Sequence, residues 1–355
     1  MRFPEFSGEW KKDIIGNVIS VKSEKYNPHS NRTEFICVEL ESISQGTGEL
    51  LETFNSAEQK SIKNKFSPGT VLFGKLRPYL RKFYLPYFEG VCSSEIWVMR
   101  SNKIEPAFLY SFIQTPYFIS LANQSSGSKM PRADWGLIET SKIAYPPNSA
   151  ERVKIGKFLK LIDERIATQN KIIAHLESLI KGLTNQLLIP NSNWQPTTIG
   201  QVLTINPGKD YKHLKEGNIP VYGTGGYMLS VNDYLYDGES VCIGRKGTIN
   251  KPIFLTGKFW TIDTLFYTSN FNSLLPRFGY YLFKTIDWLK YNEASGVPSL
   301  SKVSIEKIHI SLPSLAIQNS ICRLLDSIYD KLALEESVLN NHQTQKAFIL
   351  QQMFI

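Results

Sequence analysis

The side chains in this 355-residue chain best placed to do chemistry are basic, and they follow a glycine. In Lys75-Leu-Arg77-Pro-Tyr79-Leu-Arg81-Lys82, four bases and a tyrosine fall within eight residues, directly after Gly69-Thr-Val-Leu-Phe-Gly74. Arg245-Lys246-Gly-Thr, with Lys251, stands in the same place after Gly238-Glu-Ser-Val-Cys-Ile-Gly244. Lysine and arginine so placed can clamp phosphates, and arginine can read a guanine edge through two parallel hydrogen bonds. Two later loops, Ser125-Ser-Gly-Ser-Lys129-Met-Pro-Arg132 and Ser295-Gly-Val-Pro-Ser299-Leu-Ser-Lys302, add small polar donors and more bases. Tyr222 and Thr224, at the glycine-rich turn Gly223–Gly226, complete the candidate contacts. One such cluster alone is the ordinary mark of a solvated face. The same loop being basic twice points to DNA.

Other chemistries find no support. Gly69–Lys75 fits most of a phosphate-binding loop, but Leu76 stands where a magnesium-ligating Ser or Thr is needed, and the interior Val-Leu-Phe reads as a buried strand. The five histidines show no ligand spacing, and Cys37, Cys92, Cys242 and Cys322 are far apart, as free thiols in a reducing compartment are. The sequence has neither the Asn-Pro-Pro-aromatic motif that holds a flipped base nor a nucleophile elbow, and Asp263 and Glu95 have no nuclease-like companions. No catalytic site and no metal site is expected.

The elements that must position these loops come in two copies. Trp10-x4-Ile15-Gly16-x-Val18 recurs as Trp194-x4-Ile199-Gly200-x-Val202. Strand-like runs are expected at Glu34–Leu40, Thr70–Phe73, Cys92–Met99, Ser240–Ile243 and Ile262–Thr268, and helices at Pro106–Leu121 and Pro276–Tyr291. Each globular region, 1–150 and 191–313, then runs into a long amphipathic helix, at 151–190 and 314–355. The first carries a heptad seam of Ile155, Leu159, Ile162, Ile166, Gln169, Ile173, Leu176, Ile180, Leu183 and Leu187, with no proline from Glu151 to Leu188. About 38 residues at 1.5 Å each make a helix of roughly 57 Å, longer than a globular domain requires. Adding 166 gives Ile321, Leu325, Ile328, Leu332, Glu335, Leu339, His342, Lys346, Ile349 and Met353, so the polar Glu335 falls opposite Gln169. The reading is α+β: two globular domains, each followed by a long helix whose seam the other helix can cover. Paired as an intramolecular antiparallel coiled coil, the helices would separate the domains, with Gln169 and Glu335 able to set register; the alternative is that each helix packs back on its own domain. Lys157, Lys160, Glu164, Lys171 and Lys181 form an outward face available for docking.

The net charge of +8 is shared, with 18 basic against 15 acidic residues in 1–150 and 12 against 9 in 191–313. A single basic tail is excluded, and if nucleic acid is bound both regions bind it. No run approaches the roughly 18 apolar residues of a membrane helix, and Met1–Glu5 has no apolar stretch behind it, so a cytoplasmic protein is expected.

At this point the chain resembles the DNA specificity (S) subunits of type I restriction–modification systems. The residues that carry the resemblance are Arg2-Phe-Pro-Glu-Phe-Ser-Gly-Glu-Trp10, Gly127-Ser-Lys-Met-Pro-Arg132-Ala-Asp-Trp135, Ile219-Pro-Val-Tyr222-Gly-Thr-Gly-Gly226, Ile243-Gly-Arg-Lys-Gly-Thr248 and Gly296-Val-Pro-Ser-Leu-Ser-Lys302. A proline turn and Ile155-x3-Leu-x2-Ile-Asp163 follow, with a looser copy from Ile321. The helix entrances read Ala150-Glu151-Arg152 and Ala316-Ile317-Gln318 where the family usually has Glu-Gln, and Tyr329 stands in the place of Asp163. The resemblance implies a non-catalytic subunit with two target-recognition domains, each reading half of a split, asymmetric site in double-stranded DNA. The helices would set the unread gap and dock two methyltransferase (modification) subunits, which methylate an adenine in each half-site, and restriction subunits with ATPase and nuclease activity. S-adenosylmethionine, ATP and Mg²⁺ would belong to those partners, none to this chain.

Overall fold

The computed structural model describes residues 2–30, 33–124 and 130–354. It divides into two compact units, Met1–Ile173 with Glu335–Ile355, and Ala174–Leu334. Both are mixed α+β, and the sequence repeat is a repeat of structure.

In the first unit, Lys11–Ile14 pairs antiparallel with Lys142–Tyr145; in the second, Gln195–Thr198 pairs in the same way with His309–Leu312. Each leading strand runs into a short helix, Ile15–Val18 or Ile199–Val202. The shared glycine has a steric cause. A Cβ on Gly16 would lie 3.0 Å from the Cβ of Glu139, and one on Gly200 would lie 2.8 Å from the Cβ of Glu306. The short helix therefore sits directly on a second one, Trp135–Glu139 or Lys302–Glu306.

At the centre of the first unit Val71–Gly74 lies between Phe83–Tyr84 and Ile96–Met99. Ser240–Gly244 lies between Ile253–Leu255 and Leu265–Ser269 in the second. Every residue of both central strands is buried, which is why they read as continuous apolar runs rather than alternating ones. The expected strand Cys92–Met99 is two strands, Gly90–Cys92 and Ile96–Met99, because a turn closes with Ile96 N–H donating to Ser93 O at 3.0 Å. The helix expected over Pro106–Leu121 also breaks. It ends at Phe112 and restarts at Pro116, where Thr115 accepts from Phe118 N–H at 3.2 Å and caps the new helix. Pro276–Thr285 is likewise followed by a separate 3₁₀ turn at Trp288–Tyr291, fixed by Trp288 Nε1 donating to Phe283 O at 2.8 Å.

The long helices, Ser149–Leu187 and Leu315–Met353, have 39 residues each. In the first unit Ile155 and Leu159 share a core with Leu350 and Met353, against Phe108, Phe112 and Ile143. In the second, Leu183, Leu187 and Leu188 pack with Ile321, Cys322 and Leu325, against Phe278 and Tyr281. The start of one helix meets the end of the other in each unit, so the pair runs antiparallel. Each end of the seam also serves as domain core. All sixteen apolar seam positions (Ile155, Leu159, Ile162, Ile166, Ile173, Leu176, Ile180, Leu183, Leu187, Ile321, Leu325, Ile328, Leu332, Leu339, Ile349, Met353) are buried or half-buried. Gln169 and Glu335 meet: Gln169 Nε2 donates to Glu335 O at 3.0 Å and to its carboxylate.

The two helix entrances do equivalent work, Arg152 where the chain departs from the family pattern and Gln318 where it keeps it. Arg152 donates to both carboxylate oxygens of Glu105 (2.6 and 3.0 Å) and to the carbonyls of Pro146 and Pro147. Gln318, fully buried, accepts from Leu275 N–H at 2.8 Å and donates to Ser273 O and Pro313 O. Each ties a long helix to the proline turn before it and to the entry of the Pro106 or Pro276 helix. Asp163 pairs with Lys346, whereas Tyr329 stacks on Tyr281 at 5.8 Å and accepts from Lys284 Nζ. At the start of the chain, Arg2 grips the buried Glu151 through two bonds of 2.7 Å.

Candidate nucleic-acid interface

The basic loops are the hairpin connections after the central strands. Each is held by the same three backbone bonds, one to the turn before the neighbouring strand and two to the late loop of its own unit. In the first unit Lys75 N–H donates to Glu95 O, Arg77 N–H to Pro131 O and Ala133 N–H to Lys75 O, at 2.8 to 2.9 Å. In the second, Arg245 N–H donates to Thr264 O (2.7 Å), Gly247 N–H to Pro298 O and Leu300 N–H to Arg245 O (both 2.9 Å). Isolated bridges Leu76 to Arg132 and Lys246 to Ser299 mark the same register. Lys75 thus corresponds to Arg245, Arg77 to Gly247, and Arg132 to Ser299.

The correspondence extends to backbone conformation. Arg77 has φ +52° and Gly247 φ +86°, so both copies turn through the left-handed region at the same point. Glycine adopts it freely. An arginine there holds a backbone conformation that residues with a side chain rarely adopt.

The two surfaces do not gather every expected residue. In the first unit Arg77 and Arg132 are exposed, Lys75 is half-buried and Tyr79 is 54% exposed, all on or beside the paired loops. Arg81 turns elsewhere: its own φ is +51°, its Nη2 donates to Gln114 O at 3.1 Å, and burial lowers its pKa. Lys82 Nζ donates to Leu40 O at 2.6 Å. Each of these two side chains is thus tied by a hydrogen bond to the body of the unit, although Arg81 itself is exposed. Lys129 lies outside the described residues.

In the second unit Arg245, Lys246, Lys251 and Lys302 are exposed and Ser299 is half-buried. Arg245 lies 5.9 Å from the Phe266 ring, and Lys302 lies 3.5 Å from Glu306. The late loop is fixed from behind: Asn292 Oδ1 accepts from Ser299 N–H at 2.9 Å, and Glu293 N–H donates to Ser299 O at 3.0 Å. Hydrogen bonds from Ser304 and Ser301 lower the pKa of Glu293. Tyr222 and Thr224 belong to a hairpin, Glu216–Gly223 with Gly226–Val231, whose turn meets the basic loop. A Cβ on Gly247 would lie 3.6 Å from Thr224 Oγ1.

That hairpin carries two residues the basic motifs did not flag, Tyr227 and Met228, 62% and 46% exposed. Tyr227 lies edge-on to Tyr222 at 6.2 Å. Large apolar side chains left in water beside basic loops suit the sugar edges and thymine methyls of a groove. Their signal in the sequence was the aromatic pair flanking Gly223–Gly226. On the helices, Lys157, Lys160, Glu164, Lys171 and Lys181 are all exposed. Among the described residues no group of three or more His, Cys, Asp or Glu side chains is placed to hold a metal, and no helix is long and apolar enough to cross a membrane.

Known proteins with these features point one way. A Haemophilus influenzae protein named as a type I restriction enzyme specificity subunit is 25% identical over 159 residues, 43% of this chain and 40% of its own length. The chain thus matches less than half the length of that relative. A type I restriction–modification S subunit from M. genitalium superposes with a TM-score of 0.66 over 100% of this chain and 99% of its own, at 16% identity. A chain from a structure concerned with complex assembly and conformational transition of the type I R-M system gives 0.62 over 98% of each chain, at 19% identity. At those identities the likeness is one of fold. The type I restriction modification DNA specificity domain matches residues 8–178 and again 191–342. With one copy of that domain in each half, the chain belongs to this specificity-subunit family.

Proposed function

We propose that this chain is the non-catalytic DNA-reading subunit of a type I restriction–modification complex. The globular regions 1–150 and 191–313 act as target-recognition domains, each reading one half of a split site in double-stranded DNA. The long helices set the unread gap between the halves. Their exposed Lys157, Lys160, Glu164, Lys171 and Lys181 dock two methyltransferase subunits, and restriction subunits join that assembly. S-adenosylmethionine, ATP and Mg²⁺ act on those partners. The contacts are Lys75, Arg77, Tyr79 and Arg132 in the first domain, with Lys129 in the same loop, and Tyr222, Thr224, Arg245, Lys246, Lys251, Ser299 and Lys302 in the second.

One observation carries this reading: both units hold the basic loop by the same three backbone bonds, two of them to the late loop, and fill that frame with different side chains. A conserved frame with variable tips is what two readers of different half-sites require. The difference also explains why the target would be asymmetric, since Arg77 faces Gly247 and Arg132 faces Ser299 in the alignment of the copies.

Binding of the full chain to its selected duplex, followed across salt concentrations, tests the assignment. Arg77→Ala and Arg245→Ala should each weaken selective binding by about 1–3 kcal/mol if they read a base, or flatten the salt dependence by about one counterion if they hold a phosphate. Unchanged affinity and salt slope in both variants would overturn the placement of DNA on these loops.

A further inference from the structure

We propose that Glu95 is a positioning residue that holds Arg132 ready to read a guanine in the half-site of the first unit. The inference rests on the DNA reading proposed above and adds a base identity to it. Glu95 ends the turn after Ser93, where its N–H donates to Ser93 Oγ at 3.4 Å and its carbonyl accepts from Lys75 N–H at 2.9 Å. Its carboxylate accepts from Arg132 Nε at 3.0 Å and from Nη2 at 3.4 Å. The backbone of Arg132 is pinned on both sides, by Arg77 N–H to Pro131 O and Ala133 N–H to Lys75 O. Both partners are thus fixed at their main chains before their side chains meet.

The edge used decides what the arginine can still do. A carboxylate on the Nε side leaves Nη1 and the outer hydrogen of Nη2 on the opposite edge. Those two donors have the spacing of guanine N7 and O6. An exposed arginine otherwise spreads over many rotamers, and holding it in one plane removes that ordering cost from binding. The exposures assign the roles: the Arg132 side chain is 54% exposed and that of Glu95 26%, so the arginine is outermost and the carboxylate lies behind it. A carboxylate facing phosphates would otherwise oppose binding, and pairing with Arg132 offsets that cost. The second unit has Thr264 and Ser299 at the corresponding places, so this device belongs to one half-site only.

Selection of duplexes from a randomised pool by the full wild-type chain, then titration of single-base variants of the selected site, tests this. The wild type should prefer guanine over adenine at one position of one half-site by on the order of 10- to 100-fold. Arg132→Ala and Arg132→Lys should both erase that preference, the lysine keeping the charge but lacking the fork. Glu95→Gln should cut it several-fold and leave the other half-site, read by the same preparation, unchanged. Combining Glu95→Gln with Arg132→Ala should cost no more than Arg132→Ala alone. A guanine preference that survives Glu95→Gln, or a Glu95→Gln chain that binds every duplex more tightly by one factor, would overturn the positioning role while leaving DNA reading intact. A wild type that selects no sequence would overturn the DNA reading, and the positioning role with it.

Discussion

At the scale of single residues, the fold keeps its reactive groups out of the way of its contact groups. All four cysteines are buried free thiols. Burial pushes the thiols of Cys37 and Cys242 up to about 12 and that of Cys322 up to about 11, and it also raises Cys92. A thiol is nucleophilic only as thiolate, so at pH 8 the folded chain holds almost none. Native protein should therefore resist iodoacetamide at that pH and take up four labels once unfolded in denaturant, read by intact mass. Rapid labelling of any one cysteine in the native chain would contradict its place in the core. The proposed contact groups are the opposite case, since Arg77, Arg132, Arg245 and Lys246 are exposed on a hydrogen-bonded frame. The types of Arg77, Arg245 and Lys246 were legible from the sequence because charge after a glycine-ended strand appears twice. That Arg81 and Lys82 turn back to Gln114 O and Leu40 O was not, because adjacency in sequence does not say which way a left-handed residue aims its neighbours.

At the scale of elements, the long helices carry the most information. The heptad spacing predicted an apolar seam, and its apolar positions are all buried or half-buried. What the spacing did not reveal is that each end of the seam is also domain core, because a heptad reports that a face is buried and not by what. Two glycines in the same helix separate these roles. A Cβ on Gly156 would lie 2.7 Å from Ala107 Cβ and 2.9 Å from its carbonyl carbon, so the helix Pro106–Phe112 approaches to backbone distance there. Gly156→Ala should destabilise the first unit by about 1–3 kcal/mol through overpacking against main chain. Gly182 has nothing within 4 Å of its Cβ position. Gly182→Ala should instead stabilise the chain by about 0.5–1 kcal/mol, by helix propensity and reduced freedom of the unfolded state. Chemical denaturation of the two variants beside the parent checks both signs. Loss of stability in Gly182→Ala would mean that this face of the helix is covered. The broken elements teach the complementary lesson. Pro116 and the turn at Ser93 interrupt runs that periodicity alone joins, and only the side-chain cap at Thr115 and the backbone bond at Ser93 show where.

At the scale of the whole molecule, the repeat is the fact from which the rest follows. One unit written twice gives two equivalent surfaces, and the sequence differences between them, Arg77 against Gly247 and Arg132 against Ser299, make those surfaces chemically different. The repeat frame was legible because its anchors recur in sequence, and Gly16 and Gly200 sit where an added Cβ would crowd Glu139 and Glu306. The base sequence read was not legible. It depends on which exposed side chains reach which groove edges, and Glu95 behind Arg132 is a contact that appears only once two distant loops are placed together. The central claim is that the two globular regions read independent halves of one site, and exchange of a domain tests it most directly. Residues 1–150 are replaced by the corresponding region of another member of the family, and the sequences selected by the parent and hybrid full chains are determined side by side. One half-site should change to that of the donor, with the other half-site and the gap between them unaltered. A hybrid that changes both half-sites, or neither, would contradict the account.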